Sequence, residues 1–187
     1  ASMNPALSSW MAIRQQLSAG VKDKNVLILG ATGYAGRLAV EIAHYLGARQ
    51  IIAAGRNEEV LRSLPADGFI QLNDNLAPQL NQLNQVDVVL DYLWGLPAQN
   101  VLDGVLNSRS KPDALLEWVE IGSMAGSKIE LSAAVLRSNN IRFLGSGIGS
   151  IATAVFAKEL FSLAQLVAAG KFNVTPLQYQ LEEFSQE

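Results

Sequence analysis

The sequence predicts an α/β fold, a doubly wound parallel sheet of six strands with helices on both faces. Three observations predict it. The 187 residues are 49% hydrophobic and 17% charged, against about 45–50% and about 25% for ordinary globular chains, so apolar material is available for a large core. The apolar residues gather in short bursts, VLIL, IIAA, VDVVL and IRFL, of the kind that form strands buried on both faces. Between the bursts lie stretches with apolar residues at helical spacing, and strand–helix alternation over about 120 residues reads as right-handed crossovers in a parallel sheet.

The elements come in a regular order. Asn4 and Pro5 suit an N-cap and a first helical position, opening a helix to about Leu17 that stops at Gly20. Val26–Leu29 is the first strand and runs into Gly30-Ala31-Thr32-Gly33-Tyr34-Ala35-Gly36. The next helix carries Ala39, Ile42, Ala43 and Leu46 on one face and ends at Gly47. Ile51–Ala54 is the second strand, Gly55-Arg56-Asn57 a turn, Glu58–Leu64 a short helix and Phe69-Ile70 a brief third strand. Val86–Leu90 is the fourth strand, ending at Asp91, with a helix over Pro97–Leu106. Leu115–Ile121 is the fifth strand, Leu131–Arg137 a helix and Ile141–Leu144 the sixth strand. Beyond Gly149 a long amphipathic helix is expected over Ala152–Ala169, then a short Phe172–Val174 strand and, at Leu181–Phe184, the opening of another helix.

Composition excludes several classes. Fourteen basic and seventeen acidic residues give a net charge of −3 with no basic cluster, which argues against nucleic acid as a partner. The absence of cysteine removes disulfides and thiolate metal sites, and one histidine cannot build a histidine site, so no metal is expected. His44 shares a helix face with Arg37 and Glu41 and reads as solvated. Mean hydropathy is positive, yet no apolar run reaches the roughly 18–20 residues of a membrane span. No targeting pattern marks the start, so cytoplasm is the expected compartment.

The glycine run carries the chemistry. Gly30-x-x-Gly33-x-x-Gly36 stands directly after a buried strand and directly before a helix. There, glycines let the backbone turn and approach a pyrophosphate, and the helix N-terminus supplies free N–H groups and positive dipole for the anion. In this context the triplet predicts a Rossmann dinucleotide-binding fold with Gly30, Thr32, Gly33, Tyr34, Ala35 and Gly36 around the phosphates. The end of the second strand selects the nucleotide. An acidic residue there would bind the ribose 2′-OH of NAD, but the sequence has Gly55-Arg56-Asn57. Arg56 can bond a 2′-phosphate bidentately and stack on adenine, so NADP is expected over NAD. The alternative is that Arg56 is a solvated turn residue while Asn57 caps the next helix. Glu58 and Glu59 suit that helix's first turn, although either could reach a ribose hydroxyl.

Ligands of open α/β sheets lie across the carboxyl ends of the strands. Three further ends therefore join the candidate site: Asp91 and Tyr92, Gly122 and Ser123, and Gly145 and Ser146. Asp91 either bonds a ribose hydroxyl or a loop N–H, or simply terminates its strand. Glu117 and Glu120 face opposite sides of the fifth strand and make no acid–base couple. No catalytic residue is assigned.

In order and spacing, NVLILGATGYAGRLAVEIAHYLGA, AAGRNEEVL, VDVVLDYLWG, WVEIGSMAG and IRFLGSGIGS resemble the medium-chain dehydrogenase/reductases, with the quinone-reductase-like branch nearest. The resemblance implies hydride transfer between NADPH and a quinone, enone or carbonyl, or alcohol oxidation in reverse. It implies that zinc ligands, where present, and most substrate contacts lie in a GroES-like domain outside this chain, and that a homodimer forms through the last strand, Ile141–Leu144. It divides the chain into residues 1–20, a leading helix from that catalytic domain, residues 21–150, the dinucleotide-binding domain, and residues 151–187, a helix and the return. The chain is thus expected to be an excised piece that binds cofactor but is inactive alone. Trp94 and Tyr34 are bulkier than the family pattern, and Trp94 is expected to narrow the nicotinamide approach. Two other readings compete. One is a non-catalytic NADP(H) sensor or interaction module. The other is a short-chain, epimerase-like reductase, but no tyrosine is followed four residues later by lysine, the pair that class needs.

Overall fold

The computed structural model describes residues 3–73 and 76–172. Six parallel strands form one sheet in the order β3-β2-β1-β4-β5-β6: β1 Asn25–Leu29, β2 Gln50–Gly55, β3 Gly68–Gln71, β4 Val88–Asp91, β5 Leu116–Glu120 and β6 Ile141–Gly145. The order runs outward from β1 in one direction to β3 and in the other to β6, which is the doubly wound α/β arrangement the sequence predicts. The reversal falls between β1 and β4, where neighbouring crossovers leave on opposite faces and a crevice opens at the carboxyl ends.

The central strands are mostly apolar because both faces are covered. Along β1, Val26 and Ile28 belong to one core layer and Leu27 and Leu29 to the other. β2 repeats this with Ile51 and Ala53 against Ile52 and Ala54. The first layer is covered by α1 (Met3–Met11), α2 (Tyr34–Tyr45) and α6 (Thr153–Ala168), and the second by α4 (Gly95–Ser108). Two short helices, α3 (Glu58–Ser63) and α5 (Ala133–Ser138), complete the set.

Four details differ from expectation. The first helix already includes Met3, so Asn4 and Pro5 lie within it rather than at its cap. It then widens into a π-type segment, Ala12–Gln16, closed by Leu17 N–H on the Ala12 carbonyl at 3.3 Å. A 3₁₀ segment over Ala77–Leu83, unforeseen, carries the chain from β3 to β4. Phe172 sits in a bend, its ring edge-on to Tyr45 with centroids 5.4 Å apart. The rest of the expected last strand, and Leu181–Phe184, lie outside the described residues.

The leading helix and α6 are joined by one buried carboxylate. Glu159 accepts from Trp10 Nε1 at 2.7 Å, Arg14 Nε at 2.8 Å and Gln15 Nε2 at 2.9 Å. Burial opposes its charge, but the hydrogen bonds from Arg14 and Trp10 and the charges of Arg14 and Lys158 outweigh burial and hold the carboxyl below its ordinary range. No described helix is long and apolar enough to cross a membrane.

Candidate functional site

β1 delivers the chain to the crevice, and the glycines shape the turn beyond it. Gly30 takes a φ of +86°, a left-handed conformation that glycine adopts without steric cost. The N–H groups of Gly30 and Ala31 both donate to the Ala54 carbonyl at 2.9 Å, and Gly33 N–H donates to Gly30 O at 3.0 Å. α2 then starts at Tyr34 with Gly33 as its N-cap. Helix geometry leaves the first-turn N–H groups of α2 without carbonyl partners inside the helix, at the positive end of its dipole. Gly36 permits the close packing the motif requires, since a Cβ there would lie 2.2 Å from Gly30 O and 2.7 Å from Ala31 Cα.

This loop lines a cavity of about 770 Å³, large enough for a dinucleotide-sized ligand. Of the residues singled out from sequence, Gly30, Thr32, Gly33, Tyr34, Ala35, Gly36, Gly55, Arg56 and Tyr92 line it. Arg56 is exposed at its edge. Its carbonyl accepts from Gln71 Nε2 at 3.2 Å, while among the described residues its guanidinium has no hydrogen bond or ion pair. Most of the opposite wall was not foreseen. Leu93 comes from the turn before α4, Leu96, Pro97 and Asn100 from the start of α4, Met124 and Ala125 from the loop after β5, and Leu72, Asn73 and Leu76 from beyond β3. Leu96 and Met124 stand out only in the structure, as large apolar residues left 70% and 86% exposed.

Asp91 is not a wall residue, and the ribose reading of it is corrected. Its side chain is fully buried. Oδ1 accepts from Leu93 N–H at 2.8 Å and Trp94 N–H at 3.0 Å, and Oδ2 from Trp118 Nε1 at 3.0 Å. Burial pushes its pKa up while these three donors pull it back, and the net shift is upward. Its work is to hold the turn in which Trp94 takes a φ of +51° and Gly95 one of +61° before α4 begins. Trp94 packs against the second core layer and does not line the cavity.

Asn57 likewise lies outside the cavity, its Oδ1 accepting from Val60 N–H at 3.1 Å as the cap of α3. Glu58 pairs with Arg62 one turn on. Gly122, Ser123, Gly145 and Ser146 fall outside it too, further along the sheet rim; Ser146 N–H donates to Glu120 O at 2.8 Å. Glu117 and Glu120 are indeed no couple. Glu117 is buried and accepts from Ser18 N–H at 3.0 Å and Lys24 Nζ at 3.2 Å. Glu120, pushed up by burial and by Asp91, stands opposite Asp91 in the ladder. His44 is exposed. Among the described residues no group of three or more His, Cys, Asp or Glu is arranged to hold a metal ion.

Tyr92 ties the cavity floor to the leading helix. Its hydroxyl lies 3.2 Å from Ser8 Oγ, and burial raises its pKa to about 12. Its Cβ lies 3.2 Å from where a Cβ on Gly30 would stand.

No family model matches the chain. It is 33% identical over 186 residues to a probable NADPH-dependent quinone reductase of Emericella nidulans, a match spanning 90% of this chain and 51% of that protein. Its relatives in sequence and in fold are medium-chain dehydrogenase/reductases. It spans about half the length of that relative. Among solved structures of this family's fold, the nucleotide-binding subdomain of the enoylreductase domain of PpsC from Mycobacterium tuberculosis superposes with a TM-score of 0.70 at 23% identity, over 94% of this chain and 98% of that one. A mycobacterial protein complexed with NADPH gives a TM-score of 0.74 at 13% identity, over 91% of this chain and 54% of the other. At such identities the two structures establish the fold of this chain, and that alone.

Proposed function

We propose that this chain binds NADPH in the glycine-lined cavity and forms the nucleotide-binding part of an oxidoreductase acting on a small carbonyl, enone or quinone. The observation that carries this reading is one juxtaposition. A strand-to-helix phosphate loop and an arginine without a protein partner among the described residues line the same cavity. The residues fit such a group, because the loop is pared to glycine where a Cβ at Gly36 would strike Gly30 O. The first turn of α2, beginning at Tyr34 beyond the Gly33 bend, would take the pyrophosphate on its backbone N–H groups, and Arg56 the 2′-phosphate. Gly122, Ser123, Gly145 and Ser146 continue the same rim and are assigned to the nicotinamide end. When bound, NADPH supplies the hydride, and the protein supplies position. The relative of Emericella nidulans, a probable NADPH-dependent quinone reductase, supports NADP over NAD.

Titration of the 187-residue chain with NADPH and NADH, followed by nucleotide fluorescence, tests the assignment. NADPH is expected to bind at least several-fold tighter. Arg56→Ala is expected to remove most of that gap, because a charge-assisted bond of about 1.5–3 kcal/mol corresponds to roughly ten- to hundredfold. Equal affinities in the wild type would exclude the Arg56 role.

One observation favours the sensor reading. Among the described residues, the cavity is lined by no carboxylate and no histidine, so this chain brings few proton-transfer groups to it. The chain alone is therefore proposed to bind nucleotide with little turnover. A longer gene product that still turns over no quinone or enone with NADPH would favour a sensor. The homodimer through Ile141–Leu144 is tested by sedimentation of wild type against Phe143→Lys, on that edge strand.

A further inference from the structure

Dinucleotide folds that select NAD place a carboxylate at the end of the second strand, where it binds the ribose 2′-OH and repels a 2′-phosphate. In this chain that strand ends in Gly55, which lines the cavity beside Arg56. The glycine is not demanded by the backbone, because its φ lies outside the left-handed region and any L-residue could adopt it. What forbids a side chain is Thr32. A Cβ on residue 55 would lie 2.5 Å from Thr32 Cγ2, 2.9 Å from its Oγ1 and 3.2 Å from its Cβ.

Thr32 has little freedom to give way. It is β-branched, so each staggered χ1 rotamer leaves at least one of its two γ heavy atoms in the two close positions. Its backbone is pinned on both sides. Ala31 N–H donates to Ala54 O at 2.9 Å, Gly33 N–H to Gly30 O at 3.0 Å, and the Thr32 carbonyl accepts from Arg37 Nε at 3.0 Å. A side chain on residue 55 must therefore displace the phosphate loop itself.

We propose that Thr32 is a specificity-determining residue: by occupying the space of a Cβ at position 55 it keeps an acidic anchor off the end of β2 and holds the site to the 2′-phosphorylated nucleotide. This deepens the NADPH reading above and rests on it. The selectivity then has two parts, attraction by Arg56 and exclusion by Thr32, and an acidic substitution at Gly55 succeeds only when Thr32 is shortened with it. Alanine at 32 removes Cγ2 and Oγ1 and leaves only the Cβ at 3.2 Å, a contact that small shifts absorb.

The test is a double-mutant cycle on the 187-residue chain. NADPH and NADH are titrated into wild type, Gly55→Asp, Thr32→Ala and the pair. Gly55→Asp alone is expected to weaken both nucleotides by about tenfold or more, because the loop is pushed out of shape. Thr32→Ala alone keeps the NADPH preference. The pair binds NADH about tenfold or more tighter than Gly55→Asp alone and prefers it to NADPH. Thermal melting without nucleotide provides a second reading should Gly55→Asp not fold. Gly55→Ala is expected to lower Tm by several degrees, and Thr32→Ala with Gly55→Ala to recover most of the loss. Gly55→Asp binding NADH as tightly as the pair, or Gly55→Ala melting like the wild type, overturns the exclusion role while leaving the NADPH assignment in place. A wild type that binds neither nucleotide overturns that assignment, and this inference with it.

Discussion

The indole N–H of Trp118 on β5 donates to Oδ2 of Asp91 on β4 at 3.0 Å, inside the second core layer. That contact closes the carboxylate of Asp91 to any ligand. Trp118→Phe keeps the apolar bulk but strands a buried carboxylate oxygen. An unmade hydrogen bond of that kind costs about 1–3 kcal/mol, and more for a charged group. The expected outcome is a loss of about 2–4 kcal/mol in urea unfolding. The Leu93–Gly95 turn is expected to loosen as well, visible as faster amide exchange there.

Glu159 predicts an acid transition. Its pKa in the folded chain lies below the ordinary 4.5, so it contributes stability above the unfolded value that is lost as pH falls through the folded one. Glu117, held low by Ser18 N–H and Lys24 against the effect of burial, has the same sign. Asp91 and Glu120, both pushed up, have the opposite sign and partly offset them. Thermal melts between about pH 3 and 6 should show Tm falling with acid in the wild type. Glu159→Gln should start lower and show a shallower fall. An unchanged slope would remove Glu159 from this role.

Tyr92 makes the alkaline counterpart. Its phenol is raised from 10 to about 12 by burial, so the neutral form is preferred in the folded chain. The stability it contributes is complete below pH 10 and disappears as pH rises through about 12. Tyr92→Phe should abolish that step and, through the lost Ser8 partner, cost about 1 kcal/mol at neutral pH. Ultraviolet titration of the phenolate, compared between the two proteins, measures it.

Gly36→Ala is the sharpest steric prediction. The added methyl would meet Gly30 O at 2.2 Å, and backbone on both sides leaves no side chain to swing away. Overpacking of this kind costs about 1–3 kcal/mol or more. The variant should melt well below the wild type and lose nucleotide affinity even at low temperature, where it is folded.

The strands were legible because both sheet faces are covered. A double-sided strand leaves a continuous apolar burst, and VLIL and IIAA could hardly be anything else next to glycine punctuation. The phosphate loop was legible for a related reason, since close backbone approach can be met only by glycine at Gly30 and Gly36. Asp91 was not legible. An acidic residue ending a strand at a ligand-bearing rim has the same spelling whether it faces the crevice or the core, and Trp118, its partner, is 27 residues away. Glu159 hid similarly, because its donors lie 144 to 149 positions upstream. The 3₁₀ segment over Ala77–Leu83 is rich in Asn and Gln and lacks a clear apolar period, so only tertiary packing of residues such as Leu83 reveals it.

The carboxylate of Glu159 also has a topological consequence. By clasping α1 to α6 it holds the first and last described helices side by side, so that loosening one of them is felt by the other.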